Sequence, residues 1–332
     1  MILAIESSCD DSAVAIIEIA SYKIALEARE SQNDAHNAYG GVVPELAARL
    51  HAENLPKLLE LAAPYFGRLK AIAVTNRPGL TVALAGGVVM AQALSLALKL
   101  PIICIHHIAG HLYSLFIESE ARFPLSALMV SGGHTLLIDA DKNGRLRQVA
   151  ASLDDALGEA FDKCAKLLGL GYPGGAALEK LAGQGDENRF DFPIPLRGDD
   201  RLAFSYSGLK NSVRLACEKA ATDGAIDEKT RADIAASFQK AAVAHLLRVT
   251  DRFVMRARPQ RLGLIGGVSA NEYLRSRFAS LCTRHGIEPL FAPLSFCGDN
   301  AAMIARAAVV QFHAGAFAEP SEIKIVSRER LE

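Results

Sequence analysis

Ile2-Leu3-Ala4-Ile5-Glu6-Ser7-Ser8-Cys9-Asp10-Asp11-Ser12-Ala13-Val14-Ala15-Ile16-Ile17 opens the chain as two apolar runs joined by a polar elbow. Runs that short, bounded by hydroxyls and acids, read as two strands and the connection between them. The design returns at Leu125. Residues 126–130 form an apolar run, Ser131-Gly132-Gly133-His134-Thr135 a tight turn of small residues, and Leu136-Leu137-Ile138 the return strand. Each hairpin heads a half in which strand and helix patterns alternate, so the sequence predicts an internally duplicated α/β fold. The first elbow gathers small hydroxyls and carboxylates, which can approach a phosphate or hold a metal-bound water. The second turn is rich in backbone N–H groups and free of Cβ bulk, which suits a phosphate.

Working outward, residues 42–63 read as a helix that Pro56 is expected to break. Residues 69–75 read as a buried strand running through Asn76-Arg77-Pro78-Gly79 into an uncharged stretch at 80–98. That stretch approaches membrane length. It also carries Thr81, Gly86, Gly87, Gln92 and Ser95, and so reads as a buried core helix rather than a span. A short strand at 101–105 then feeds Ile105-His106-His107-Ile108-Ala109-Gly110-His111. In a helix His107 and His111 stand at i and i+4, on one face and about 5–6 Å apart at Cβ, a spacing that lets two imidazoles share one transition-metal ion. A carboxylate is the expected complement, and Asp299 in Cys297-Gly298-Asp299-Asn300 is the best placed by motif.

The second half predicts a helix over 152–169, with Leu157, Ala160, Phe161, Cys164, Leu167 and Leu168 on one face. Residues 184–211 read as polar loop and 232–255 as a long amphipathic helix. A strand at 262–265 runs into Gly266-Gly267-Val268-Ser269-Ala270-Asn271-Glu272. Ser269 and Glu272 fit a capping box, placing a helix N-terminus beside a Gly-Gly turn, a natural purine-nucleotide or phosphate site. A last helix is expected at 301–312.

Lys and Arg number 36 against 37 Asp and Glu, so any nucleic-acid footprint must be a local patch or come from other subunits. Six cysteines without a C-x-x-C pair point to reduced thiols in a cytoplasmic setting. Glu6 interrupts the apolar run at the N-terminus, which argues against a secretory leader.

Taken together, residues 5–11, Gly40-Gly41-Val42-Val43-Pro44-Glu45, residues 106–111, 130–134, Gly158-Glu159-Ala160-Phe161-Asp162-Lys163, residues 205–210, 266–271 and 297–300 closely resemble the tRNA N6-adenosine threonylcarbamoyltransferase family. The resemblance is co-linear over nearly the whole chain. It implies a duplicated actin, heat-shock-chaperone and sugar-kinase-like (ASKHA) fold, with two α/β subdomains flanking a nucleotide cleft, one formed by 1–112 and 296–332 and the other by 113–295. It implies transfer of a threonylcarbamoyl group from threonylcarbamoyl-AMP to N6 of adenosine 37 in tRNAs reading ANN codons. One divalent metal, Fe2+ first and Zn2+ second, is implied on His107, His111 and Asp299. The adenylate is implied against Met129, Val130, Ser131, Gly132 and Gly133, with Asp162, Gly175, Glu179 and Asn271 around the nucleotide. Implied partners are a paralogous ASKHA-fold subunit (TsaB-like) and a P-loop ATPase (TsaE-like), with no membrane. Asp10 and Asp11 are the candidates to take the proton from the adenine amine.

The chain departs from the family pattern at Arg77, where a glycine is usual, at Ala109 and Asp11, where acids with longer or additional reach are usual, and in a tail without tryptophan. Two other activities compete for the same fold and residues. A small-molecule kinase has no use for the paired histidines. A metallopeptidase of the zincin type needs Glu directly after the first histidine, where Ile108 stands.

Overall fold

The opening hairpin folds as β1 (Ile2–Glu6) and β2 (Asp11–Ile17), antiparallel, with Ile5 opposite Val14. In the computed structural model, which describes residues 1–221 and 224–331, the chain divides into two units. Met1–Arg122 with Ala292–Leu331 makes the first, and Phe123–Phe291 the second.

In the first unit β2 pairs with β3 (Ile24–Ser31), while β4 (Ala71–Arg77) and β5 (Ile102–His106) add in parallel, giving the order β3-β2-β1-β4-β5. β3 escapes a sequence reading because it is an edge strand, half polar and mostly unburied. A short helix α1 (Asn33–Asn37) follows it. The pair α2 (Pro44–Ala62) and α3 (Thr81–Leu98) packs on one face of the sheet. On the other lie α4 (His107–Tyr113) and α10 (Ala301–His313), the latter buried along most of its length. Pro56 does not break α2 as expected. Ala47, His51 and Leu55 before it and Leu58, Leu59 and Ala62 after it are buried on one continuous face. Burial of those side chains offsets the roughly 3 kcal/mol a helical proline costs.

α3 is long and apolar enough to cross a membrane by length and composition. It instead connects two parallel neighbours, β4 and β5, and lays Ala83, Leu84, Val88 and Ala91 into the core of this unit. It is a crossover helix.

The second unit repeats the plan. Strands β6 (Leu125–Val130), β7 (Thr135–Ala140) and β8 (Leu146–Ala151) form the meander. β9 (Arg261–Ile265) and β10 (Glu288–Phe291) then add in parallel on the far side of β6, in the order β10-β9-β6-β7-β8. With β6 in the place of β1 the two sheets have one topology, which is the duplication read from the hairpins. The helices are α5 (Leu157–Leu167), α6 (Gly175–Ala182), α7 (Ser207–Ala220), α8 (Glu228–Ala257) and α9 (Glu272–His285). Their core joins Leu128, Val130 and Leu137 of the sheet to Phe161, Phe238 and Phe278.

Three local expectations change. The helix expected from 152 begins at Leu157, because Ser152 bridges to Phe204 and Asp154 is spent on the start of α7. That start, at Ser207, lies inside the stretch read as loop. The N-cap of α9 is Asn271, whose Oδ1 accepts from Leu274 N, and no Ser269–Glu272 capping box forms. Residues 267–270 coil into a 3-10 turn first, which moves the helix start two residues on.

Candidate metal and nucleotide sites

In the first unit α4 begins directly at His107. His106 ends β5 and caps the helix, its Nδ1 accepting from Ile108 N at 3.2 Å. One turn then carries both imidazoles to one side, with ring centroids 4.7 Å apart and planes at 86°. Gly110 lets this turn sit close on α10. A Cβ there would come within 2.6 Å of Ile304 Cδ1 and 3.3 Å of Met303 Cγ. Since α10 starts just after Asp299, that close approach brings the carboxylate to the histidines. Asp299 Oδ1 lies 3.1 Å from His111 Nε2 and 3.5 Å from His107 Nε2. Among the described residues these three form a group that could hold a metal ion, with ligand atoms all within 4.8 Å of one another. Metal–ligand bonds of about 2.0–2.2 Å put neighbouring donors roughly 3.0–3.4 Å apart for right-angled to tetrahedral geometry, and the two distances from Asp299 Oδ1 to the imidazoles, 3.1 and 3.5 Å, lie at that spacing. Two imidazoles and a carboxylate also suit iron or zinc by donor type.

What aims His107 is Glu6, which a sequence reading meets only as an interruption of an apolar run, together with Ser8, whose Oγ lies 3.1 Å from the same Nδ1. Glu6 is fully buried. Oε1 accepts from Ser8 N at 2.6 Å, and Oε2 accepts from Thr75 Oγ1 at 2.5 Å and lies 3.3 Å from His107 Nδ1. A carboxylate on Nδ1 leaves Nε2 facing Asp299, the arrangement that orients metal-binding histidines. Burial works against a charged His107, yet Asp299 and Glu6 outweigh it and lift it to about 9. Burial dominates at His111 and lowers it. A lone acid in an otherwise apolar first strand was the available signal for Glu6.

The elbow is fixed by His51 of α2. Its Nε2 donates to Cys9 O at 2.9 Å, and its Nδ1 accepts from Ser12 Oγ at 2.7 Å. Asp11, just beyond, is raised to about 7, chiefly by burial and then by the charges of Asp299 and Asp10. Arg29 of β3 opposes this at 4.0 Å and donates to Asp299 O at 3.1 Å. The departure at Arg77 is absorbed by the tail. Arg77 Nε meets Glu329 Oε2 at 2.6 Å, and Asn76 and Gly79 bond the tail backbone at Lys324, Val326 and Ser327.

In the second unit Gly266 ends β9 with φ +90°, and any Cβ would overlap the carbonyl of Val130. Gly158 at the start of α5 is equally tight: an added Cβ would come within 2.6 Å of Ser131 O, to which its own N–H donates at 3.2 Å. Val130 and Ser131 therefore sit between two glycines, while Gly132 and Gly133 are exposed with open space above them. Met129 and Val130 are wholly buried, so only their backbone is available to a ligand. Asp162 Oδ1 accepts from Gly174 N and Gly175 N at 2.8 and 3.1 Å. Glu179, raised by burial, accepts from Glu272 N at 2.7 Å. Asn271 donates to Gln239 Oε1 at 3.0 Å besides capping α9.

The 205–210 motif is organised by acids. Asp154 accepts from Ser205 Oγ, Tyr206 N and Ser207 Oγ at 2.5–2.8 Å, and Asp155 bridges Lys163 and Lys210, each at 2.8 Å. His245 Nε2 accepts from Ser205 N at 3.1 Å. Burial, and then Arg248, lower His245 to about 4. With a folded value below the ordinary 6.5, the unfolded chain takes up the proton first. Its contribution is thus complete above pH 6.5 and is lost as the pH falls toward 4. Between pH 7 and 5 the wild type should lose about 2 kcal/mol more than His245→Gln, measured by denaturant unfolding at both pH values.

The two repeated sheets and their helices define the duplicated ASKHA fold. An activator of 2-hydroxyisocaproyl-CoA dehydratase from Clostridium difficile with bound ADPNP shares it at TM-score 0.54 and 14% identity, covering 98% of this chain and 99% of that one. The family model TsaD, tRNA N6-adenosine threonylcarbamoyltransferase, matches residues 23–306. A protein of that name from a Nitratiruptor species is 53% identical over 328 residues, 99% of each chain. Another from Wolinella succinogenes is 51% identical over 328 residues, 99% of this chain and 98% of that one. The chain belongs to the tRNA N6-adenosine threonylcarbamoyltransferase family, and is a transferase acting on adenosine N6 of tRNA.

Proposed function

We propose that the chain moves a threonylcarbamoyl group from threonylcarbamoyl-AMP to N6 of adenosine 37 in tRNAs reading ANN codons. The observation that carries this reading is the convergence of His107, His111 and Asp299 on one point, with Glu6 behind His107. His107, His111 and Asp299 would hold a divalent cation, Fe2+ first and Zn2+ second, and such an ion would supply Lewis acidity to the transfer. In the second unit the N–H groups of Gly132 and Gly133 hold the phosphate, with Met129, Val130 and Ser131 lining the turn and Asp162, Gly175, Glu179 and Asn271 around the nucleotide. The Ser131 N–H is itself spent on His134 O at 2.8 Å. The adenine nitrogen bonds to the carbamoyl carbon, the carbon–oxygen bond to the phosphate breaks, and AMP leaves with the electron pair. Asp10 or Asp11 takes the amine proton, and among the described residues the buried Asp11 Oδ1 has no hydrogen-bond partner. The anticodon loop is single stranded, so presenting adenosine 37 costs less than flipping a base from a duplex.

A paralogous ASKHA-fold subunit (TsaB-like) has a seat on the first unit. Val82, Val89 and Leu96 recur every seven residues along α3, exposed by 43, 62 and 72%, with Leu61 of the neighbouring α2 exposed by 54%. A P-loop ATPase (TsaE-like) completes the assembly, and the whole acts in the cytoplasm, where tRNA is. Reconstitution tests the reading. Purified chain, partner subunits, synthetic threonylcarbamoyl adenylate and tRNA should yield modified adenosine and AMP in equal amounts. Phosphorylation of a small metabolite instead, with no modified adenosine, would replace it with a kinase. Glu6→Gln should weaken metal binding 10- to 100-fold, read by chelator competition.

A further inference from the structure

The chain carries no overall basic excess, with 36 Lys and Arg against 37 Asp and Glu, yet its substrate is a polyanion. Any share of the tRNA backbone that this chain itself holds must then fall on a local excess of positive charge. The second unit has one. Arg248, Arg252 and Arg256 recur every four residues along α8 and so share a face. Each reaches the backbone of the loop at 191–203. Arg248 Nη2 donates to Pro195 O at 2.6 Å and Leu196 O at 2.9 Å, Arg252 Nη1 to Asp199 O, and Arg256 Nη2 to Asp200 O at 3.1 Å.

These carbonyls bracket Arg197 and Gly198, the tip of the loop. The tip is strained. Leu196 has φ +51° and Gly198 φ +89°, and a leucine in the left-handed region persists only where its surroundings hold it there. Arg197 is exposed and makes no ion pair among the described residues. Two carboxylates lie in the loop tip. Asp199 is taken by Arg201 at 2.6 Å, and Asp200 stands 3.5 Å from Arg252. Among the described residues that leaves Arg197, Arg248 and Arg256 without a carboxylate. Arg248 is lowered by burial and then by the like charges of Arg252 and Arg197. A loop tip held in strain over mutually repelling guanidiniums is disfavoured unless an anion settles on it.

We propose that the tip of this loop, with Arg197 presented above the arginine row of α8, is a seat for the phosphate backbone of tRNA. RNA is favoured over an acidic protein because the family's substrate is tRNA and the rest of the chain is charge-balanced. The inference rests on family membership and not on the metal reading. Arg248 and Arg252 are the partly buried supports of the loop, while Arg197 and Arg256 lie exposed and offer charge, Arg256 with one exposed bond to Asp200 O.

The test uses the full chain with its partner subunits and compares wild type with the double variant Arg197→Gln, Arg256→Gln. The tRNA dissociation constant is measured between 50 and 200 mM salt. The slope of log affinity against log salt should fall by about two, one per guanidinium, with at least a tenfold weaker complex at the low-salt end. Affinity for threonylcarbamoyl-AMP and metal content should stay at wild-type values, and Arg197→Lys should keep the wild-type slope. An unchanged slope and tRNA affinity would overturn the proposal. So would loss of a protein partner from the double variant with tRNA binding intact, which would assign the loop to that partner.

Discussion

His111→Ala is expected to empty the cation site and to lower kcat/KM for adenosine modification about a thousandfold. His111 is fully buried, and its Nε2 lies 3.1 Å from Asp299 Oδ1, so the alanine removes a donor that no neighbour replaces. A bound cation stabilises charge in the transition state by several kcal/mol, and each 1.36 kcal/mol is tenfold in rate. Metal analysis of the purified variant and mass-spectrometric counting of modified adenosine give two independent readouts. A variant that keeps its metal and its rate would end the metal reading. One that loses metal but keeps its rate would make the cation structural and leave transfer to the chain's own groups.

Gly266→Ala should cost at least about 3 kcal/mol. The φ of +90° with ψ 163° lies in a region that essentially only glycine occupies, worth about 1–3 kcal/mol by itself. The added Cβ also overlaps Val130 backbone, with Val130 C at 2.8 Å. No side chain can swing away to relieve that. β9 would have to part from β6, to which it is paired at Ile265 and Met129. For a unit of this size the melting temperature should fall by about 6–12 °C. Gly132→Ala is the control, since nothing lies within 4 Å of its Cβ. It should melt within about 0.5 kcal/mol of wild type. It should still weaken adenylate binding if the bare turn is the phosphate seat. A wild-type melt for Gly266→Ala would mean that the turn is built differently.

Much of the plan was legible locally. Alternation and turn chemistry located both hairpins, and the match of β3-β2-β1-β4-β5 to β8-β7-β6-β9-β10 is the duplication they implied. The strands that escaped, β3, β8 and β10, all lie at sheet edges, and their short or half-polar sequences resemble loop. Pro56 misled for the opposite reason. A local rule ends the helix there, while burial on both sides of the proline carries it through.

By itself the sequence determined the duplicated α/β plan, the shared face of His107 and His111, and the family. Those depend on spacing along the chain and on side-chain chemistry, which a one-dimensional string carries in full. Only the tertiary structure decided that Asp299 meets those histidines, that Glu6 turns His107 toward it, and that Gly266 and Gly158 close on Val130 and Ser131. Each of these joins residues far apart in sequence through packing, α4 on α10 at Gly110 and β9 on β6 at Gly266. A close approach of two backbones leaves no periodic signal behind.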